Sequence, residues 1–129
     1  MSPPLLRTAA WMVPALAAAL APAYADAVRL SARQTEDGAQ IEARWADGRS
    51  GDPPAVEAQV EAGVLRLRFA EAVEVEAGDL AAAAPMVVSF AEADGRDVRI
   101  ALRRPLEAHV GRAGGARVVQ LAEPGAPAR

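Results

Sequence analysis

Few side chains in this 129-residue chain are equipped to do chemistry. His109 is the only histidine and there is no cysteine, which excludes thiolate nucleophiles, disulfides and multi-histidine metal sites. Ser31, Ser50 and Ser89 lack the G-x-S-x-G setting that would expose a nucleophile on a strand-to-helix turn. Glu71, Glu74 and Glu76 lie close together, and Asp47, Asp52, Asp94 and Asp97 flank glycine-rich turns. None of these stretches has the D-x-[DN]-x-[DN]-G spacing that wraps calcium, so the aspartates read as turn formers. Paired carboxylates for glycoside hydrolysis would need an apolar pocket and a stacking platform. Trp45 alternates in phase with Ile41 and Ala43, which makes it core rather than platform. No enzymatic activity, catalytic residue, metal or cofactor is expected.

What remains is arginine. The chain has no lysine, so all 14 of its basic residues are arginines, set against 17 acids for a net charge of −3. That balance leaves no basic face for nucleic acid. Arg66 and Arg68, Arg99 and Arg103, and Arg117 recur at the strand period and fall on or near outward faces. Interleaved with glutamates, they read either as solvated cross-strand pairs or as a face that grips carboxylates by bidentate hydrogen bonds.

The elements that must position them are strands. Val56, Ala58 and Val60, then Leu65, Leu67 and Phe69, point one way, while Glu57, Gln59, Glu61, Arg66 and Arg68 point the other. This predicts a hairpin turning at Ala62-Gly63, with Glu57 facing Arg68 on the wet side and Val56 facing Phe69 on the dry side. Asp37-Gly38 predicts a two-residue type I′ turn, pairing Leu30 with Trp45, Ala32 with Ala43 and Arg33 with Glu42. Ala93-Asp94-Gly95 predicts a three-residue loop that pairs Phe90 with Val98 and Val88 with Ile100 inside. A fourth hairpin closes at Ala113-Gly114-Gly115, between residues 106–110 and 117–121, with its register open.

These units repeat. Val56-Glu57-Ala58-Gln59-Val60 returns as Leu106-Glu107-Ala108-His109-Val110, and Phe69-Ala70-Glu71 returns as Leu121-Ala122-Glu123. Asp37-Gly38 precedes Ile41 as Asp94-Gly95 precedes Val98. The expected fold is therefore all-β. Two antiparallel four-stranded sheets, from a duplication with copies at about 28–72 and 86–124, pack face to face. Between the copies a short helix is expected within residues 77–84, with Asp79 as its N-cap and Pro85 ending it. Residues 46–55, rich in glycine and proline, read as a mobile loop.

The first 25 residues read as an address. Arg7 precedes an apolar run that is too short to span a bilayer, and Ala23-Tyr24-Ala25 supplies the small-x-small pattern that signal peptidase requires. Cleavage is expected between Ala25 and Asp26. That leaves an exported domain over residues 26–124, no stable membrane span, and a frayed tail over 125–129.

Three segments carry a family likeness. They are Asp97-Val98-Arg99-Ile100-Ala101-Leu102, a proline-led strand over residues 105–110, and Ala116-Arg117-Val118-Val119-Gln120-Leu121. Together they resemble the AMIN domain, the non-catalytic targeting domain of bacterial cell-wall amidases, secretins and other periplasmic proteins. That family commonly has aspartate where Gln120 stands. The resemblance implies a two-sheet sandwich in the periplasm that attaches to peptidoglycan or to an envelope complex through a sheet face. Arg66, Arg68 and Arg117 are the candidate contacts, with Arg99 beside them. The alternatives are an assembly domain whose sheet edges pair with a partner strand, or the leader domain of a larger periplasmic protein.

Overall fold

A computed structural model of the chain describes residues 26–125. The expected signal peptide, Ala25 of its cleavage site and residues 126–129 lie outside the described residues. In chain order the elements are β1 (Ala27–Gln34), β2 (Gly38–Trp45), β3 (Val56–Glu61), β4 (Val64–Phe69) and β5 (Glu74–Glu76). A single helical turn, α1 (Leu80–Ala83), follows. The second half holds β6 (Val88–Asp94), β7 (Asp97–Leu102), β8 (Glu107–Ala113) and β9 (Ala116–Ala122). None of the described helices is long and apolar enough to cross a membrane.

The fold is all-β, in two sheets ordered β5-β1-β2-β9-β8 and β3-β4-β7-β6. Each sheet takes one hairpin from each half of the chain, joined along a central antiparallel seam, β2 on β9 and β4 on β7. The first sheet has five strands rather than the expected four. The extra one, β5, pairs parallel to β1 through Ala27–Glu74, Val28–Val75 and Arg29–Glu76. Alternating apolar residues close the core between the sheets: Val28, Leu30, Ile41, Val119 and Leu121 from one, and Leu65, Leu67, Phe69, Val98 and Ile100 from the other. Leu80, Ala84, Val87 and Val88 are also buried, in and around α1, which packs against β1 and β6. Asp79 stands at the N-cap position, but its side chain makes no capping hydrogen bond.

The hairpin at Ala62-Gly63 forms as its alternation predicts, with Val56 opposite Phe69 and Glu57 opposite Arg68. Both turn residues have positive φ, 53° at Ala62 and 79° at Gly63, the pattern of a type I′ turn. Alanine is strained there because its Cβ crowds the backbone, whereas asparagine tolerates that region. Ala62→Asn is expected to stabilise the domain by about 0.5–1 kcal/mol, read as a higher urea midpoint at unchanged m-value. An unchanged or lower midpoint would overturn the turn assignment.

Two other hairpins differ from expectation. In the first, the loop is Glu36-Asp37 at negative φ, and Thr35 and Gly38 exchange backbone hydrogen bonds of 3.0 and 3.3 Å. Gly38 is a strand residue rather than a turn residue. Leu30 therefore faces Ala43, Ala32 faces Ile41, Arg33 faces Gln40 and Val28 faces Trp45. A slip of two residues keeps every side chain on its expected face. In the β6–β7 hairpin the loop is Gly95-Arg96, and Ala93 faces Val98 while Ala91 faces Ile100. This slip is odd, so the side chains of β6 change faces. Phe90 turns outward and is 56% exposed, and a bulge between Val88 and Phe90 returns Val88 to the core. The last hairpin, left open by the sequence, places Val110 opposite Val119 and turns on Gly114-Gly115.

Candidate functional site

The outer face of the β3-β4-β7-β6 sheet carries three rows of side chains that run across the strands. The register puts Gln59, Arg66, Arg99 and Glu92 in the middle row. On one side runs Glu57, Arg68, Asp97 and Asp94, and on the other Glu61, Val64, Ala101 and Phe90. The rows exist because successive side chains of a strand alternate between the two faces, and the register aligns the outward ones, most of them polar, across the four strands. The centre of this face is an open depression of about 740 Å³ bordered by Glu57, Gln59, Arg66, Arg68, Asp97 and Arg99.

Three of the four arginines expected to bind a ligand thus share one surface. Arg99 is paired with Glu92 at 3.0 Å, and Arg68 stands 3.6 Å from Asp97. Arg66 sits directly opposite Arg99 on the neighbouring strand, an arrangement in which like charges repel. It makes no hydrogen bond or ion pair, and among the described arginines it is alone in this. The remaining arginines reach a carboxylate, an amide oxygen or a backbone carbonyl. Arg103 is one of them, donating from Nε to the Pro85 carbonyl at 2.8 Å.

Arg117 does not join them. It lies in the other sheet, on the core side, half-buried, and its Nε donates to the Pro53 carbonyl at 2.8 Å. Its parity with Val119 and Leu121 was the available signal, since residues two apart on a strand share a face. Its guanidinium is engaged within the chain. With Arg112, whose Nη1 reaches Asp52 at 3.1 Å, it ties down residues 46–55. That segment, expected to be mobile, is anchored at its other end as well. Arg49 grips both oxygens of Asp47 and reaches Asp26 at 3.0 Å, and its guanidinium lies 4.4 Å over the half-buried ring of Trp45. These hydrogen bonds from Arg49 hold the Asp47 carboxyl below its ordinary value of 3.8, and in turn raise the Arg49 guanidinium.

The remaining candidates are dispersed. His109 lies on the outer face of β8, 4.0 Å from Glu107, and the Ser89 hydroxyl donates to the Ala101 carbonyl at 3.3 Å. Glu74 and Glu76 flank Val75 on β5. Among the described residues no group of three or more acidic or histidine side chains converges to hold a metal ion. The arrangement at Arg66 offers charge recognition, with one guanidinium free to donate to an oxyanion and a second beside it. Sequence reasoning did not find the Arg66–Arg99 juxtaposition, because it depends on the β4–β7 seam between distant halves of the chain. No family model, no curated protein and no solved structure matches this chain.

Proposed function

We propose that the chain is a non-catalytic, exported binding module of the bacterial cell envelope. In this reading it is cleaved between Ala25 and Asp26, works in the periplasm and needs no cofactor. It engages peptidoglycan or an envelope complex through the outer face of the β3-β4-β7-β6 sheet. The observation that carries this reading is Arg66, a solvent-facing guanidinium without a partner, set against Arg99 at the centre of an open depression. An anionic group from a ligand would relieve the like-charge contact and supply the missing acceptor. The resemblance to the AMIN domain supports an envelope ligand. The seam register supports the internal duplication that goes with that resemblance. Ile41 faces Val119 in one sheet and Leu67 faces Val98 in the other, the same pair under the correspondence read from the sequence repeat.

The test is co-sedimentation of the purified chain with peptidoglycan sacculi. Saturable retention that weakens with added salt is expected, and Arg66→Ala/Arg68→Ala should reduce it by about tenfold or more. Both arginines are solvent-facing, so this variant should keep its fold. Absence of retention at low salt would overturn the reading. A second reading, strand addition to a sheet edge, is favoured by β8, a regular seven-residue edge strand with Val110 46% exposed. Binding of that kind would survive the arginine variant and be lost on Val110→Pro.

A further inference from the structure

The charge map of the arginine face says more than that it can hold an anion. Its three arginines, Arg66, Arg68 and Arg99, share the surface with five acids, Glu57, Glu61, Glu92, Asp94 and Asp97. The face is therefore net negative around a cationic centre. An anionic polymer that lays several charges across it meets carboxylates in both directions, along the strands and across them. Glu92 and Asp97 are engaged by Arg99 and Arg68. Among the described residues Glu57, Glu61 and Asp94 make no side-chain ion pair or hydrogen bond, and of the three only Glu57 borders the depression with the free Arg66. Glu57 and Arg66 stand on adjacent strands, one two-residue step apart. Sheet spacing puts their Cα atoms about 8 Å from each other, a diagonal that long side chains can span, yet the two are not paired in the structure.

We propose that this face takes a zwitterionic, peptide-like group, whose carboxylate lies between Arg66 and Arg99 and whose ammonium lies against Glu57. An unpaired cation and an unpaired anion on neighbouring strands of one sheet face form a two-point site, and a ligand that carries both charges satisfies both. The same rim of acids that attracts an ammonium excludes polyanions, so selectivity comes from repulsion as well as attraction. This inference rests on the reading that places the site on the arginine face, and it specifies the ligand chemistry there.

The test is an NMR titration of the ¹⁵N-labelled chain at low salt with glycylglycine, acetate, ethylamine and citrate. Glycylglycine should shift amides of β3, β4 and β7 and bind about tenfold more tightly than acetate, as expected for adding one charge-assisted contact. Citrate, despite its higher charge, should bind no more tightly than acetate, and ethylamine should be the weakest. Arg66→Ala should remove the response to both carboxylates. Glu57→Gln should bring glycylglycine down to the level of acetate and leave acetate unaffected or slightly tighter. An unperturbed amide spectrum away from the face confirms that both variants fold. Tightest binding by citrate, an intact preference for glycylglycine in Glu57→Gln, or no response to any probe would overturn the inference. Retention on sacculi without the dipeptide preference would overturn this inference alone. The dipeptide preference without retention would overturn the envelope reading and leave the site standing.

Discussion

Gly38→Ala is expected to destabilise the domain by about 3 kcal/mol, a fall in melting temperature of roughly 15 °C for a domain of this size. Gly38 opens β2 directly opposite Ala122 of β9. A Cβ added there would overlap the Leu121 carbonyl oxygen and lie 3.0 Å from its carbonyl carbon. Neither side can yield cheaply, because both atoms belong to backbone. The Gly38 N–H is held by the Thr35 carbonyl and hydroxyl, and the Gly38 carbonyl by the Thr35 N–H. On the other side β9 is confined between β2 and β8. Relief requires parting β2 from β9, the seam that joins the two halves of that sheet. Gly95→Ala provides the contrast, because Gly95 has a φ of 62° but open space around it. That change meets only the local penalty of a left-handed alanine, about 1 kcal/mol. Urea unfolding of the two variants separates the mechanisms. If Gly38→Ala costs no more than Gly95→Ala, close approach is not what Gly38 provides.

Gly38 also shows where a single sequence is legible and where it is not. Its neighbour Asp37 and its own small size carry the signature of a hairpin turn, and a hairpin does form there. The glycine is needed for a different reason, the passage of β9, which lies more than 80 residues away and leaves no local mark. The β3–β4 hairpin could be read pair by pair because alternation, charge pairing and turn chemistry all select the same register. In β6 the inward positions past the bulge hold only the small Ala91 and Ala93, which makes alternation a weak constraint, so a loop shorter by one residue and a bulge were enough to reverse the placement of Phe90. The strand β5 is only three residues long and pairs in parallel with β1, so its existence depends on a contact that local pattern does not encode. The candidate site follows the same logic. Arg66 and Arg68 could be placed on one outward face from their spacing alone. The pairing of Arg66 with Arg99, which gives the site its centre, became visible only with the β4–β7 seam in place.

The two phenylalanines supply the second large effect, and they should separate sharply. Phe69 ends β4 with 1% of its surface exposed, opposite Val56, and its N–H donates to the Arg96 carbonyl at 3.1 Å. It is the bulkiest of the fully buried side chains among the described residues, in a core otherwise made of valine, leucine, isoleucine and alanine. Phe69→Ala removes its transfer free energy and leaves a cavity that small aliphatic neighbours cannot refill, an expected loss of about 4 kcal/mol. Against a total stability of about 5–15 kcal/mol that variant is marginal, so Phe69→Leu, expected to cost about 1–1.5 kcal/mol, keeps the comparison measurable. Phe90 projects from the outer face of β6 with 56% of its surface in solvent. Phe90→Ala is expected to change stability by no more than about 0.5 kcal/mol. Urea midpoints of the three variants decide the matter. A Phe90→Ala loss as large as that of Phe69→Leu would put the ring back between the sheets and reverse the register of β6. That reversal would also turn Glu92 inward, away from Arg99, and leave two unpaired guanidiniums at the centre of the face. The stability of Phe90→Ala is therefore a test of the charge arrangement on which ligand recognition depends.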